Sequence, residues 1–163
     1  MHNPTHLFYI LQHRFYVNMM ESGTTRKFLI ATHGALASGI RSSLDIIIGP
    51  VENVFIIQAY LDGNKSIESE LAKVLEQVST ADELVIFSDL LGGSVNNQIL
   101  RFALRERIHI VSGFNLPLVI EIILSDANEP VQEVIKNALV RAKEQMVYVN
   151  ELMRAQQKEN END

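Results

Sequence analysis

Lys27-Phe28-Leu29-Ile30-Ala31-Thr32-His33-Gly34 is the stretch on which the fold turns. Its apolar run reads as a buried strand, and it stops on an ionisable imidazole followed by glycine. In open α/β sheets, ligands sit outside the carboxyl ends of the strands. A histidine placed there, with no side chain on the next residue to block it, is a candidate reactive group.

Outward from that strand, the pattern alternates. Leu36, Ile40, Leu44, Ile47 and Ile48 follow helical spacing until Gly49-Pro50 stops them. Val54-Phe55-Ile56-Ile57 reads as a second strand, and Ser66 is expected to cap a helix with Ile67, Leu71, Val74, Leu75 and Val78 inward. Leu84-Val85-Ile86-Phe87 is the third strand, followed by Ser88-Asp89-Leu90-Leu91-Gly92-Gly93-Ser94 and a helix marked by Val95, Ile99, Phe102 and Ala103. Ile108-His109-Ile110-Val111 is the fourth. Beyond a turn over residues 113–117, Leu118, Val119, Ile122 and Ile123 mark one helix, and Pro130 opens another with Val131, Val134, Ile135, Ala138 and Leu139 inward. Met146-Val147-Tyr148-Val149 reads as a short final strand. Strands alternating with helices imply right-handed crossovers and an α/β, doubly wound, mostly parallel sheet with helices on both faces.

The chain has 163 residues and is 47% hydrophobic, enough for one core and too short for two ordinary domains. Residues 1–24 are expected to be a disordered extension, 25–152 the domain, and 153–163 a polar tail that frays into solvent. The five-residue run Leu7-Phe8-Tyr9-Ile10-Leu11 is far short of the ~20 apolar residues a membrane span needs, so a cytoplasmic protein is expected. A net charge of −6, from 20 acidic and 14 basic residues, argues against non-specific nucleic-acid binding, which requires a basic surface. The lack of cysteine excludes disulfides, thiolate metal sites and cysteine nucleophiles.

A sheet order of 2-1-3-4 would bring the carboxyl ends of the first and third strands to either side of one crevice. His33 and Asp89, 56 positions apart in sequence, would then meet. A carboxylate that accepts from Nδ1–H fixes the tautomer and leaves the Nε2 lone pair free as a nucleophile. Gly92 and Gly93 let backbone N–H groups turn toward an anion, and Ser94 opens a helix whose amino end is partly positive. The helix after Gly34 aims its own amino end at the same crevice. Together these groups describe a receiver for a phosphoryl group, whose transfer depends on positioning and on stabilising negative charge. The P-loop pattern is absent, so nucleotide binding has no support.

Each residue also has a plainer reading. A lone histidine at a strand end is most often a satisfied structural group, Asp89 alone could cap a turn, and Ser94 could be only a helix cap. Their convergence on one edge shifts the balance for His33 toward function, and the resemblance that follows supplies most of the gain. His2 and His6 have the spacing of a helical metal pair, but Pro4 between them argues against it. His13 and His109 read as solvated or structural, Asn115 and Pro117 as shaping a loop, and Leu90-Leu91 as a buried loop pair or an exposed docking patch.

Thr32-His33-Gly34, Asp89-Leu90-Leu91-Gly92-Gly93-Ser94 and Gly113-Phe114-Asn115-Leu116-Pro117, in that order and spacing, resemble the mannose-family IIA component of the bacterial sugar phosphotransferase system, over about residues 27–150. The resemblance implies that His33 accepts phosphate from HPr and passes it to a IIB domain, which serves membrane IIC and IID components in sugar uptake. It implies no cofactor beyond the covalent phosphohistidine. It also implies a homodimer in which the strand near Met146, Val147, Tyr148 and Val149 crosses to the partner's sheet as a short antiparallel edge strand. Leu90, Leu91 and Val95 depart from members that carry Thr or an aromatic residue in the loop and Pro after Ser; an apolar loop suits a greasier docking rim. Rival readings are the phosphotransfer subunit of dihydroxyacetone kinase and a non-catalytic regulatory domain read by a partner.

Overall fold

Strand β1, Arg26–His33, is apolar on both faces because both are covered. The computed structural model describes residues 25–61 and 66–160. The extension over 1–24, with His2, His6 and His13, lies outside the described residues. After β1 come α1 (Leu36–Ile47), β2 (Val54–Ala59), α2 (Ile67–Glu76), β3 (Glu83–Ser88), α3 (Ser94–Leu100), β4 (Ile108–Ser112), α4 (Leu116–Ile123), α5 (Val131–Glu144) and α6 (Val149–Asn160). The four strands form one parallel sheet in the order β2-β1-β3-β4, as expected for a doubly wound α/β fold.

Alternation along the strands sorts side chains into two cores. Phe28 and Ile30 of β1, with Val85 and Phe87 of β3, pack against Ala37 and Leu44 of α1 and against α4 and α5. Leu29, Ala31, Leu84 and Ile86 face the other way, onto Leu71 and Val74 of α2 and Val95 and Ile99 of α3. Each fully buried Leu, Ile or Phe contributes about 1.5–3 kcal/mol relative to exposure. The same two-residue period aims Thr32 at α1 and His33 at α3, so the site's geometry is set by strand register.

Local chemistry fixes the helix ends. Gly49, at φ +85°, takes the left-handed position after α1, ending the helix where Gly49-Pro50 was expected to stop it. Asn115 caps α4 through Oδ1, which accepts from the Leu118 N–H at 3.0 Å, and its Nδ2 donates to the Ala142 carbonyl at 3.0 Å. It ties two helices together, in keeping with a loop-shaping role. At the amino end of the sheet, buried Arg26 donates to Ser125 Oγ at 2.7 Å and to the Glu129 carbonyl at 2.8 Å, and it pairs with Glu83.

Several expectations need correction. Ser66 holds the cap position of α2 through its carbonyl, which accepts from Ser69 and Glu70 N–H, and its side chain makes no cap bond. Leu36 and Ile47, part of the apolar helical spacing, are exposed, and α3 ends at Leu100, so buried Phe102 packs from a turn and Ala103 faces solvent. Met146, Val147 and Tyr148 form no strand, and all three are exposed; among the described residues β4 is the last strand of the sheet. The polar tail is helical through Asn160, because Leu, Met, Arg, Ala, Gln, Lys and Glu are good helix formers even where nothing is buried. Among the described residues, no helix is long and apolar enough to cross a membrane.

Candidate functional site

His33 ends β1 opposite Ala59 of β2, while Ala31 pairs with Ser88 of β3, so the chain leaving β3 passes directly beside the imidazole. Asp89 Oδ2 accepts twice from the same residue: from the His33 backbone N–H at 2.8 Å and from Nδ1 at 2.9 Å. Burial pushes the Asp89 carboxyl up, but the His33 backbone N–H and ring outweigh it and hold the group below its ordinary value. An ionised carboxylate only accepts, so the hydrogen must reside on Nδ1 and Nε2 keeps its lone pair. Asp89 Oδ1 is buried and has no hydrogen-bond partner among the described residues. The imidazole itself is 37% exposed and Asp89 14%, an arrangement with the orienting group inside and the nucleophilic edge outside.

On that outer edge, Nε2 lies 3.1 Å from Ser94 Oγ at the start of α3. The loop between Asp89 and Ser94 is held by a buried fastener: Asn96 donates from Nδ2 to Ser88 Oγ at 2.9 Å and accepts from the Gly92 N–H at 3.2 Å. Gly93 is needed for space, since a Cβ there would stand 3.1 Å from the Leu90 carbonyl oxygen and 3.2 Å from His33 Cε1. Gly92, at φ +76°, makes the bend.

All the residues expected to meet here do so, but they do not contribute alike. The Gly93 N–H donates to the Leu90 carbonyl and the Gly92 N–H to Asn96, so both amides expected to face an anion are engaged inside the loop. The amino end of α1 is likewise partly closed, since Thr32 Oγ1 accepts from the Ala37 N–H at 2.8 Å. What faces Nε2 is the Ser94 hydroxyl, with the amino end of α3 behind it.

Tyr60, just past β2, escaped the sequence reading. Its ring stacks on the imidazole with centroids 5.7 Å apart and planes at 23°, and its hydroxyl donates to Ser94 Oγ at 2.7 Å. A signal existed: Tyr60 follows Ala59, the residue that pairs with His33, at the carboxyl edge of the sheet. Among the described residues, no group of three His, Asp or Glu side chains is placed to hold a metal ion.

This constellation can accept an electrophile at Nε2 while the Asp89 carboxylate holds the ring by accepting from Nδ1–H. Residues 27–139 match the family model described as PTS system fructose IIA component, where PTS denotes the phosphotransferase system. The fructose-specific EIIA component from Bacillus subtilis (strain 168) is 23% identical over 97 residues, which span 58% of this chain and 66% of that protein, just under two thirds. Among solved structures, a Klebsiella pneumoniae subsp. pneumoniae MGH 78578 protein assigned as a phosphoenolpyruvate-dependent sugar PTS permease superposes with a TM-score of 0.76 and 32% identity, covering 81% of this chain and 96% of its own. Phosphotransferase system component EIIA from Streptococcus agalactiae gives 0.68 and 27%, covering 77% and 98%. The motifs that resembled a mannose-type IIA component thus fall within the matched span, and the chain belongs to the EIIA-man family of PTS fructose IIA components.

Proposed function

We propose that the protein is a histidine phosphocarrier, accepting phosphate from phospho-HPr on His33 Nε2 and passing it to a IIB domain that serves membrane IIC and IID components during sugar uptake. The observation that carries this reading is the pair of bonds on one ring: Nδ1 to Asp89 at 2.9 Å, Nε2 to Ser94 Oγ at 3.1 Å. In the transfer, the Nε2 lone pair forms the bond to phosphorus as the donor's bond breaks, and the electron pair of that bond leaves with the donor. The hydrogen stays on Nδ1 and is donated to the Asp89 carboxylate, whose negative charge stabilises the positive charge gained by the ring. Ser94 and the amino end of α3 face the phosphoryl oxygens, while Gly92 and Gly93 shape the loop that brings them there. No cofactor takes part beyond the covalent phosphohistidine, and the cytoplasm is where such carriers would meet.

Leu90 and Leu91, 60% and 76% exposed beside the site, suit an apolar docking rim for protein partners. A homodimer is part of the same proposal: β4 is an edge strand, and the exposed residues Met146, Val147, Tyr148 and Val149 are apolar enough to pair with the edge of a second copy. Sedimentation of the full chain against one lacking residues 146–163 tests that part, with a dimer expected only for the former.

Phosphoryl transfer is tested by incubating the full chain with phosphoenolpyruvate, enzyme I and HPr, then mapping acid-labile phosphate. Label is expected on His33 alone, and none on His33→Ala, which should still unfold cooperatively. Label on another histidine, or none while a control IIA component is labelled, rejects the assignment.

A further inference from the structure

Tyr60 combines three observations that a structural role does not require together. Its backbone is left-handed at φ +69°, a conformation that a bulky residue rarely adopts. The side chain is 64% exposed, so little burial offsets that strain. Both polar and aromatic parts nonetheless engage the site: the ring stacks on His33 and the hydroxyl donates to Ser94 Oγ. Strain held at a residue that touches a reactive group points to function.

The directions of the hydrogen bonds give that function a form. Nδ1–H donates to Asp89, so the other ring nitrogen, Nε2, accepts, and the Ser94 hydroxyl donates to it. Ser94 Oγ is free to accept, and the Tyr60 hydroxyl occupies that position. Tyr60 therefore fixes the rotor of Ser94 with its hydrogen toward Nε2. We infer that Tyr60 is a positioning residue for the phosphorylated state: it aims the Ser94 hydroxyl at the incoming phosphoryl group, and its ring covers one face of the imidazole against water.

The inference rests on His33 being the phosphate carrier and adds a residue to that chemistry. When Nε2 bonds to phosphorus, its lone pair is no longer available to Ser94. The Ser94 hydrogen stays on its oxygen and turns to a phosphoryl oxygen, and the Tyr60 hydrogen stays on Tyr60. Only the bonds to phosphorus change. Gly34, whose N–H donates to the Ala59 carbonyl at 2.9 Å, holds the end of β2 against the end of β1 and keeps Tyr60 in register with the ring.

Two variants separate the parts. Tyr60→Phe keeps the ring and removes the hydroxyl; loss of one orienting bond worth about 1 kcal/mol should slow single-turnover uptake from phospho-HPr about 5-fold, with the phosphohistidine half-life unchanged. Tyr60→Gly, which the left-handed backbone accepts without strain, should fold at least as stably as the parent, slow uptake similarly and shorten the phosphohistidine half-life at neutral pH about 10-fold. In a Ser94→Ala background, Tyr60→Phe should have no further effect on uptake, because the hydroxyl acts only through Ser94. Additive effects of the two substitutions, or uptake by Tyr60→Phe at the parental rate, would overturn the positioning role. A Tyr60→Gly phosphohistidine as long-lived as the parent's would overturn the shielding role. Failure of the parent chain itself to take up phosphate would instead sink the carrier reading beneath it.

Discussion

Adding one methyl group at Gly93 should impair chemistry far more than folding. The backbone there, φ −67° and ψ 164°, suits any residue, so Gly93→Ala introduces no conformational strain. The cost is contact: the new Cβ would lie 3.2 Å from His33 Cε1 and 3.1 Å from the Leu90 carbonyl oxygen. Carbon atoms settle at about 3.5–4.0 Å, so the ring must retreat by about 0.3–0.8 Å. Asp89 anchors Nδ1, so the ring pivots and the displacement falls on the free edge. There the 3.1 Å separation from Ser94 would open beyond hydrogen-bond range. Misplacement by 1 Å costs a reaction about 100-fold, so a shift of half that should slow uptake about 10-fold, equivalent to about 1.4 kcal/mol. Stopped-time phosphorylation from phospho-HPr measures the rate, and thermal unfolding followed by circular dichroism measures the fold. Gly113→Ala provides the contrast: at φ +72°, with nothing within 4 Å of the added atom, it should lose about 1–2 kcal/mol of stability to backbone strain while leaving the ring in place. Uptake by Gly93→Ala at the parental rate would refute the contact reasoning.

Asp89→Asn should slow uptake about 10- to 100-fold, because a neutral acceptor replaces a charge-assisted one worth about 1.5–3 kcal/mol, and the amide nitrogen is left where Oδ1 is buried without a partner; nitrogen NMR of the His33 ring should show the tautomer mixture, and a single parental tautomer would contradict this. Acidification should destabilise the fold in two stages. His109, pushed below its ordinary 6.5 mainly by burial, with Glu83 opposing and Arg26 reinforcing, resists protonation, so stability is full above that value and falls as pH drops below it. Burial raises Asp82 and Asp89, but Lys27 and the Ser79 N–H for the one, and His33 for the other, hold both below 3.8; their stabilisation is present above that value and is lost as pH falls through the lower folded values. Thermal midpoints measured from about pH 7 to about pH 3 should decline accordingly, with the first stage absent in His109→Gln, and a flat profile would count against both assignments.

Strand order and the meeting of His33 with Asp89 were legible because they follow from apolar runs, alternation and the rule that parallel strands share a carboxyl edge. Side-chain detail was less so. Tyr60 gave no periodic signal, and its left-handed backbone is not one that its residue type announces. Asn96 read as one more polar residue near a helix start, yet it is wholly buried and fastens the loop. The cradle assigned to the Gly92 and Gly93 amides was misjudged because glycine reveals freedom of direction without revealing which acceptor will claim the N–H. Helix α6 formed against the expectation of fraying because local propensity needs no burial to act, whereas the apolar run over residues 146–149 leads into that helix and pairs with no strand among the described residues.

Strand β1 carries a fastening at one end and a reactive ring at the other. Arg26 clasps the connector between α4 and α5 some hundred positions later in sequence, while His33 lies seven residues downstream, about 23 Å along an extended strand. Groups so far apart with no shared partners perturb a protein almost independently. The mouth of the pocket can therefore be reshaped for a new docking protein over evolutionary time without loosening the clasp that keeps the sheet's far end shut.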